Sequence, residues 1–135
     1  MGRIAAIDYG LARVGLAISD EMRFLARPLV CLPNTKQLSQ AIVQELGKHG
    51  AIEAIVLGLP IQMNGKEGEM AQEVRKFAEE LKKHTALPIL FWDERLTSAQ
   101  ADRTLREAEL SRKKRAALSD TMSATVILQS YLDSK

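Results

Sequence analysis

Four carboxylates stand where this sequence could do chemistry: Asp8, Asp93, Glu94 and Asp120. Asp8 closes the apolar run Ile4-Ala5-Ala6-Ile7, and Asp93 and Glu94 close the run Pro88-Ile89-Leu90-Phe91-Trp92. Each run has the length and content of a buried strand, so these acids fall at the C-terminal ends of two strands. If the strands are parallel, those ends share one edge of the sheet, where open α/β sheets place their ligands. A carboxylate there is costly when buried without a partner. Two of them converging call for a cation, and an oxygen-only ligand set suits magnesium or manganese better than zinc. His49 and His84 lie near expected helix ends, where capping or solvent contact suffices, and neither has a neighbour at metal-ligand spacing.

Each acid also has a plainer use. Asp8 before Gly10 suits a turn, because Asp bonds its own backbone there. Asp93 and Glu94 beside Arg95 suit a solvated surface cluster. Asp120 falls in the first turn of a helix, where an acid complements the dipole. Spacing alone does not join Asp120 to the other acids.

The elements that must position the acids follow from hydrophobic period. After the first strand, Val14 to Ile18 forms a second, close enough to pair antiparallel, and Leu29 to Leu32 a third, stopped by Pro33-Asn34. Leu38, Ile42 and Leu46 then recur at helical spacing, with Gly50 as the stop. Ala54 to Leu57 is a fourth strand, followed by a loop from Gly58 to Gly65. Met70, Val74, Phe77 and Leu81 mark a second helix. After the fifth strand, Thr97 with Gln100 resembles a capping box opening a third helix through Leu105. A polar segment through Arg115 precedes a last helix carrying Leu118, Met122, Val126 and Leu132. Helical crossovers return the chain to the same sheet end. The expected fold is therefore α/β: a mixed five-stranded sheet, the first three strands antiparallel and the last two parallel to the first, with helices on both faces.

Composition fits one domain over residues 1–135, with 46% hydrophobic and 27% charged residues, a balance that excludes a disordered chain. Net charge is +2, yet Arg112, Lys113, Lys114 and Arg115 alone carry four positive charges, leaving −2 on all other residues. Basicity is thus local and points to one contact with an acidic partner. The single cysteine, Cys31, has no partner for an internal disulfide and reads as a buried strand residue. No stretch approaches the ~18 apolar residues of a membrane span. Asp8 interrupts the N-terminal apolar segment too early for a signal peptide, so a cytoplasmic protein is expected. Trp92, inside an apolar strand, reads as core, whereas Tyr9 at the acid edge could equally stack on a base.

Motif order adds a resemblance. Ile7-Asp8-Tyr9-Gly10-Leu11-Ala12-Arg13-Val14-Gly15-Leu16-Ala17 is similar to the D-x-G-x-x-R-x-G-x-A opening of the YqgF, or RuvX-like, family. Val56-Leu57-Gly58-Leu59-Pro60 with Asn64-Gly65 resembles its second block, Asp93-Glu94-Arg95-Leu96-Thr97 its third, and Asp120 with Ser123-Ala124 and 127–132 its last. Members are described as Holliday-junction resolvases and as pre-16S ribosomal RNA nucleases. The resemblance implies a ribonuclease-H-like fold, with Asp8, Glu94 and Asp120 as metal ligands and catalytic residues. Ser98 and Ser123 depart slightly from the family pattern, at positions that are not ligands.

On that reading the chain is a nuclease hydrolysing phosphodiesters with Mg2+, or Mn2+, as cofactor. Two divalent ions about 4 Å apart can activate the attacking water and relieve the leaving oxygen. Asp8 is expected to bridge them, with Glu94 and Asp120 each completing one and Asp93 in support or in place of Glu94. Arg13, Arg95 and the basic run 112–115 are the expected substrate-binding residues. The expected partner is precursor ribosomal RNA, in 5' maturation of 16S rRNA and possible contact with ribosomal particles, or else branched DNA. No long apolar face announces a dimer, so a monomer or weak homodimer is expected. Two rivals share the fold: sugar-kinase and actin-like ATPases, which need two lobes around ATP, and a non-catalytic RNA-binding assembly factor, against which the retained acids argue.

Overall fold

Strand β1 (Arg3–Tyr9) is apolar on both faces because both faces are covered. Ala5 and Ile7 enter one cluster with residues of two helices, and Ile4 and Ala6 enter a second cluster with a third helix. The computed structural model describes residues 2–97, Arg103 and residues 119–135. In them β1 is followed by β2 (Arg13–Ser19), β3 (Ala26–Pro33), α1 (Leu38–Leu46), β4 (Ile52–Leu59), α2 (Glu69–Lys82), β5 (Ile89–Asp93) and α3 (Ser119–Asp133).

The strands form one sheet in the order β3-β2-β1-β4-β5, with β1–β2 and β2–β3 antiparallel and β1–β4 and β4–β5 parallel. This is the mixed sheet expected from the sequence. Helices α1 and α2 pack on one face, where Ile7, Leu16, Ile55 and Leu57 are fully buried, each worth about 1.5–3 kcal/mol relative to exposure. Helix α3 covers the other face through Ala124, Ile127, Leu128 and Leu132. Gln129, also fully buried, fastens α3 to the β2–β3 hairpin: its amide donates to the Phe24 carbonyl (3.1 Å) and Asp133 (2.9 Å), and its oxygen accepts from the Ala26 N–H (2.8 Å).

Several local expectations are corrected. Strand β3 begins at Ala26, three residues before Leu29, and lies at the sheet edge, so Cys31 is only half-buried. In α2 the buried stripe is Ala71, Val74, Phe77, Ala78 and Leu81, with small alanines where the helix meets the sheet and Met70 half-buried at its margin. In α3 the inward stripe runs through Ala124, Ile127 and Leu128, while Met122 and Val126 are half-buried. Gly58 is not in a loop: β4 continues through it to Leu59. Thr97 ends the 3-10 turn after β5 instead of opening a helix there. The helix expected from it through Leu105 otherwise lies outside the described residues apart from Arg103, which is helical; Leu118 lies outside them too.

Candidate active site

The site stands at the C-terminal edge of the parallel strands. Asp8 is the penultimate residue of β1, the central strand. Strand alternation puts it on the α3 face with Ile4 and Ala6, while Tyr9 points to the α1–α2 face and stacks on Phe77 with ring centroids 4.7 Å apart. One face of Tyr9 is therefore spent on internal packing. Trp92 is half-buried, packing against the α3-side cluster from its margin and meeting Tyr131 edge-on at 5.5 Å.

The turn after Asp8 is built for tightness. A Cβ on Gly10 would fall 2.5 Å from the Arg13 carbonyl oxygen, so only glycine closes it. Asn34, just past β3, holds it from outside: its side chain donates to the Gly10 carbonyl (2.8 Å) and its N–H to the Ala12 carbonyl (3.0 Å). The sequence shows Asn34 only as part of a strand stop. Arg13 opens β2 at the same edge and is exposed.

At the end of β5 the two neighbouring acids part company. Asp93 is the last strand residue; its carboxylate accepts from the Arg95 N–H (2.9 Å) and pairs with the Arg95 guanidinium (Nη2, 2.8 Å). That pairing holds Asp93 below its ordinary range. It also shows Arg95 engaged by Asp93 at the rim. Glu94 opens a 3-10 turn (Glu94–Leu96), pinned by the Thr97 hydroxyl on the Glu94 carbonyl (2.8 Å) and by the Ser130 hydroxyl of α3 on the Leu96 carbonyl (2.8 Å). Ending the strand at Asp93 frees Glu94 from alternation and turns it inward. Its carboxyl hydrogen-bonds Asp8, and its pKa is pushed up to about 7, first by burial, then by the negative charge of Asp8 and their hydrogen bond, and last by Asp93.

Helix α3 approaches the same face. Asp120 is the second residue of this helix. The side chain of Asp120 is outside the described residues, as are Arg112, Lys113, Lys114 and Arg115. Among the described residues no three His, Cys, Asp or Glu side chains form a metal cluster.

Two carboxyls in contact favour sharing a proton, which is the direction in which Glu94 is raised. A divalent cation in place of that proton satisfies both, and the donors are all oxygen, so the pair fits magnesium or manganese.

This sheet order and strand sense define a ribonuclease-H-like fold. The structure aligns over 99% of this chain and 96% of the other with Thermus thermophilus RuvC, solved in complex with a Holliday junction substrate, at a TM-score of 0.61 and 17% identity. The sequence profile of the RuvX family, described as Holliday junction resolvase, matches residues 2–134. Proteins named "Putative pre-16S rRNA nuclease" from Protochlamydia amoebophila and Endomicrobium trichonymphae are each 46% identical over 98% of this chain, covering 94% and 96% of their own lengths. One of the same name from Listeria monocytogenes is 42% identical over 97% of both chains. The chain belongs to the RuvX family.

Proposed function

We propose that residues 1–135 form one nuclease domain that hydrolyses phosphodiester bonds with a divalent cation, magnesium or manganese, in the maturation of precursor 16S ribosomal RNA in the cytoplasm. The observation that carries this reading is the contact between the Asp8 and Glu94 carboxyls at the end of the central strands. When bound there, a divalent cation supplies an activated water and a counter-charge for the leaving oxygen. Asp8, Glu94 and Asp120 would hold it. The three come from different elements, so the set would depend on the fold. Glu94 must lose its proton to act as a ligand, which makes cation binding release a proton at neutral pH. Arg13 at the hairpin, and Arg95 at the rim after exchanging Asp93 for phosphate, would hold flanking phosphates of the substrate. The basic run 112–115 precedes α3 in the sequence and would also hold the substrate backbone.

RNA as the substrate rests on the names of the relatives. Branched DNA is the second reading, favoured by the family description and by the junction bound to RuvC. A cleavage assay offering precursor 16S rRNA and a four-way DNA junction, at matched salt, separates them. Faster cleavage of the RNA is expected; cleavage of the junction alone reverses the choice, and cleavage of neither, with both bound, leaves an assembly factor.

A further inference from the structure

Glu94 reaches Asp8 by crossing β4, the strand that separates them. At the crossing stands Gly58, directly after Leu57, whose register partner Ile7 directly precedes Asp8, and paired in turn with Trp92 of β5. A Cβ built on Gly58 would fall 3.3 Å from both Cγ and Oε1 of Glu94, inside normal van der Waals contact. It would also fall 2.6 Å from Cδ1 of Ile127, which is 2% exposed. The Glu94 side chain thus lies against bare backbone, with the α3 wall closing over the same spot. Glycine inside a strand is otherwise unfavourable, since it adds backbone entropy and packs nothing.

We propose that Gly58 is a positioning residue: the missing side chain is the passage through which the Glu94 carboxylate reaches Asp8. Resting on the cation site proposed above, this adds a requirement that site does not carry by itself. A Cβ at position 58 must displace the Glu94 side chain by a few tenths of an ångström from its place beside Asp8, even in a well-folded protein.

Gly58→Ala alone mixes two effects, because its Cβ strikes both Ile127 and Glu94. Ile127→Val removes the Cδ1 obstacle and leaves the Glu94 contact untouched. The test is Mn2+ binding, read from the free-ion signal in electron paramagnetic resonance, on wild type, I127V and G58A/I127V, with thermal unfolding of each. Wild type and I127V should bind Mn2+ alike. G58A/I127V should unfold close to I127V yet bind Mn2+ about tenfold or more weakly, the usual effect of disturbing the groups that orient a ligand. If G58A/I127V does not fold, G58A/I127A, which clears more of the wall, is compared with I127A by the same measure. Equal affinity with and without the Gly58→Ala change overturns the role of Gly58. Absence of Mn2+ binding by wild type overturns the cation site instead.

Discussion

The two ends of this sheet treat glutamate in opposite ways. At the end where β4 begins, Glu53 accepts from the Gly2 N–H (2.8 Å) and pairs with Arg23, and these partners lower its pKa. Arg23 is held further by its Nε on the Gly2 carbonyl (2.8 Å), in a left-handed backbone conformation at φ 62. At the end where β5 stops, Glu94 is buried against another acid and raised to about 7. One end settles its charge with arginine and backbone; the other gathers like charge. A fold gains nothing in stability from the second arrangement, which supports the proposed site at that end.

The contrast breaks most severely at Asp8. Asp8→Asn should leave the fold intact, as judged by circular dichroism, and lower cleavage about a thousandfold or more, because a bound metal contributes several kcal/mol to transition-state stabilisation. A near-normal rate in a preparation free of contaminating nuclease would remove Asp8 from the site. Next come the neighbours at the end of β5. Glu94→Gln should cost about a hundredfold in magnesium-dependent rate, the range seen when metal ligation is disturbed. Asp93→Asn should leave the rate within a few-fold and cost about 1 kcal/mol of stability through its bonds to Arg95. The opposite ranking, with both variants folded, hands the ligand role to Asp93.

Changing Arg112, Lys113, Lys114 and Arg115 together to Ala should weaken binding with little regard to sequence. For a duplex the salt slope of log K should shrink by at most about three to four, since each lost phosphate contact removes ~0.9. Rates at saturating substrate should change less, as these side chains hold ground and transition states alike. An unchanged slope places the contact surface elsewhere.

The smallest effect sharpens the contrast through pH. Glu53, lowered in the fold, contributes stability above its unfolded pKa of 4.5 that is lost as pH falls. It is exposed, so Glu53→Gln should shift unfolding only slightly and leave cleavage unchanged. Glu94, raised in the fold, has the opposite sign. Between 4.5 and about 7 the folded state keeps a proton that the unfolded chain gives up, so the stability of the metal-free protein declines across that window. Denaturant titrations should show this decline in wild type and its absence in E94Q.

Strand sense and the place of Asp8 were legible in the sequence because short apolar runs ending in acids and glycines determine them; the order of the strands in the sheet was not. The division between Asp93 and Glu94 was not. It depends on the residue at which β5 stops, which Arg95 decides by bonding Asp93. Gly58 read as loop because its role exists only where β1, β5 and α3 meet over it. The inward stripe of α3 escaped notice for a related reason: Ala124 and Gln129 are buried by close approach and by hydrogen bonds to the β2–β3 hairpin, and hydrophobic period registers neither. Asn34 and Ser130 hold the two turns of the site through backbone carbonyls, and such contacts leave no pattern in a single sequence.

The central claim is that Asp8 and Glu94 share one site for a divalent cation, and the carboxyl carbon of Glu94 reports on it directly. Followed by nuclear magnetic resonance in metal-free protein, Glu94 should titrate near the value of about 7 set by its burial and by Asp8. Asp8→Asn should bring the midpoint down toward 4.5, stopping short of it because burial persists. Saturating magnesium should also lower it, with release of a proton at neutral pH. A midpoint near 4.5 that responds to neither Asp8 nor magnesium would contradict the claim.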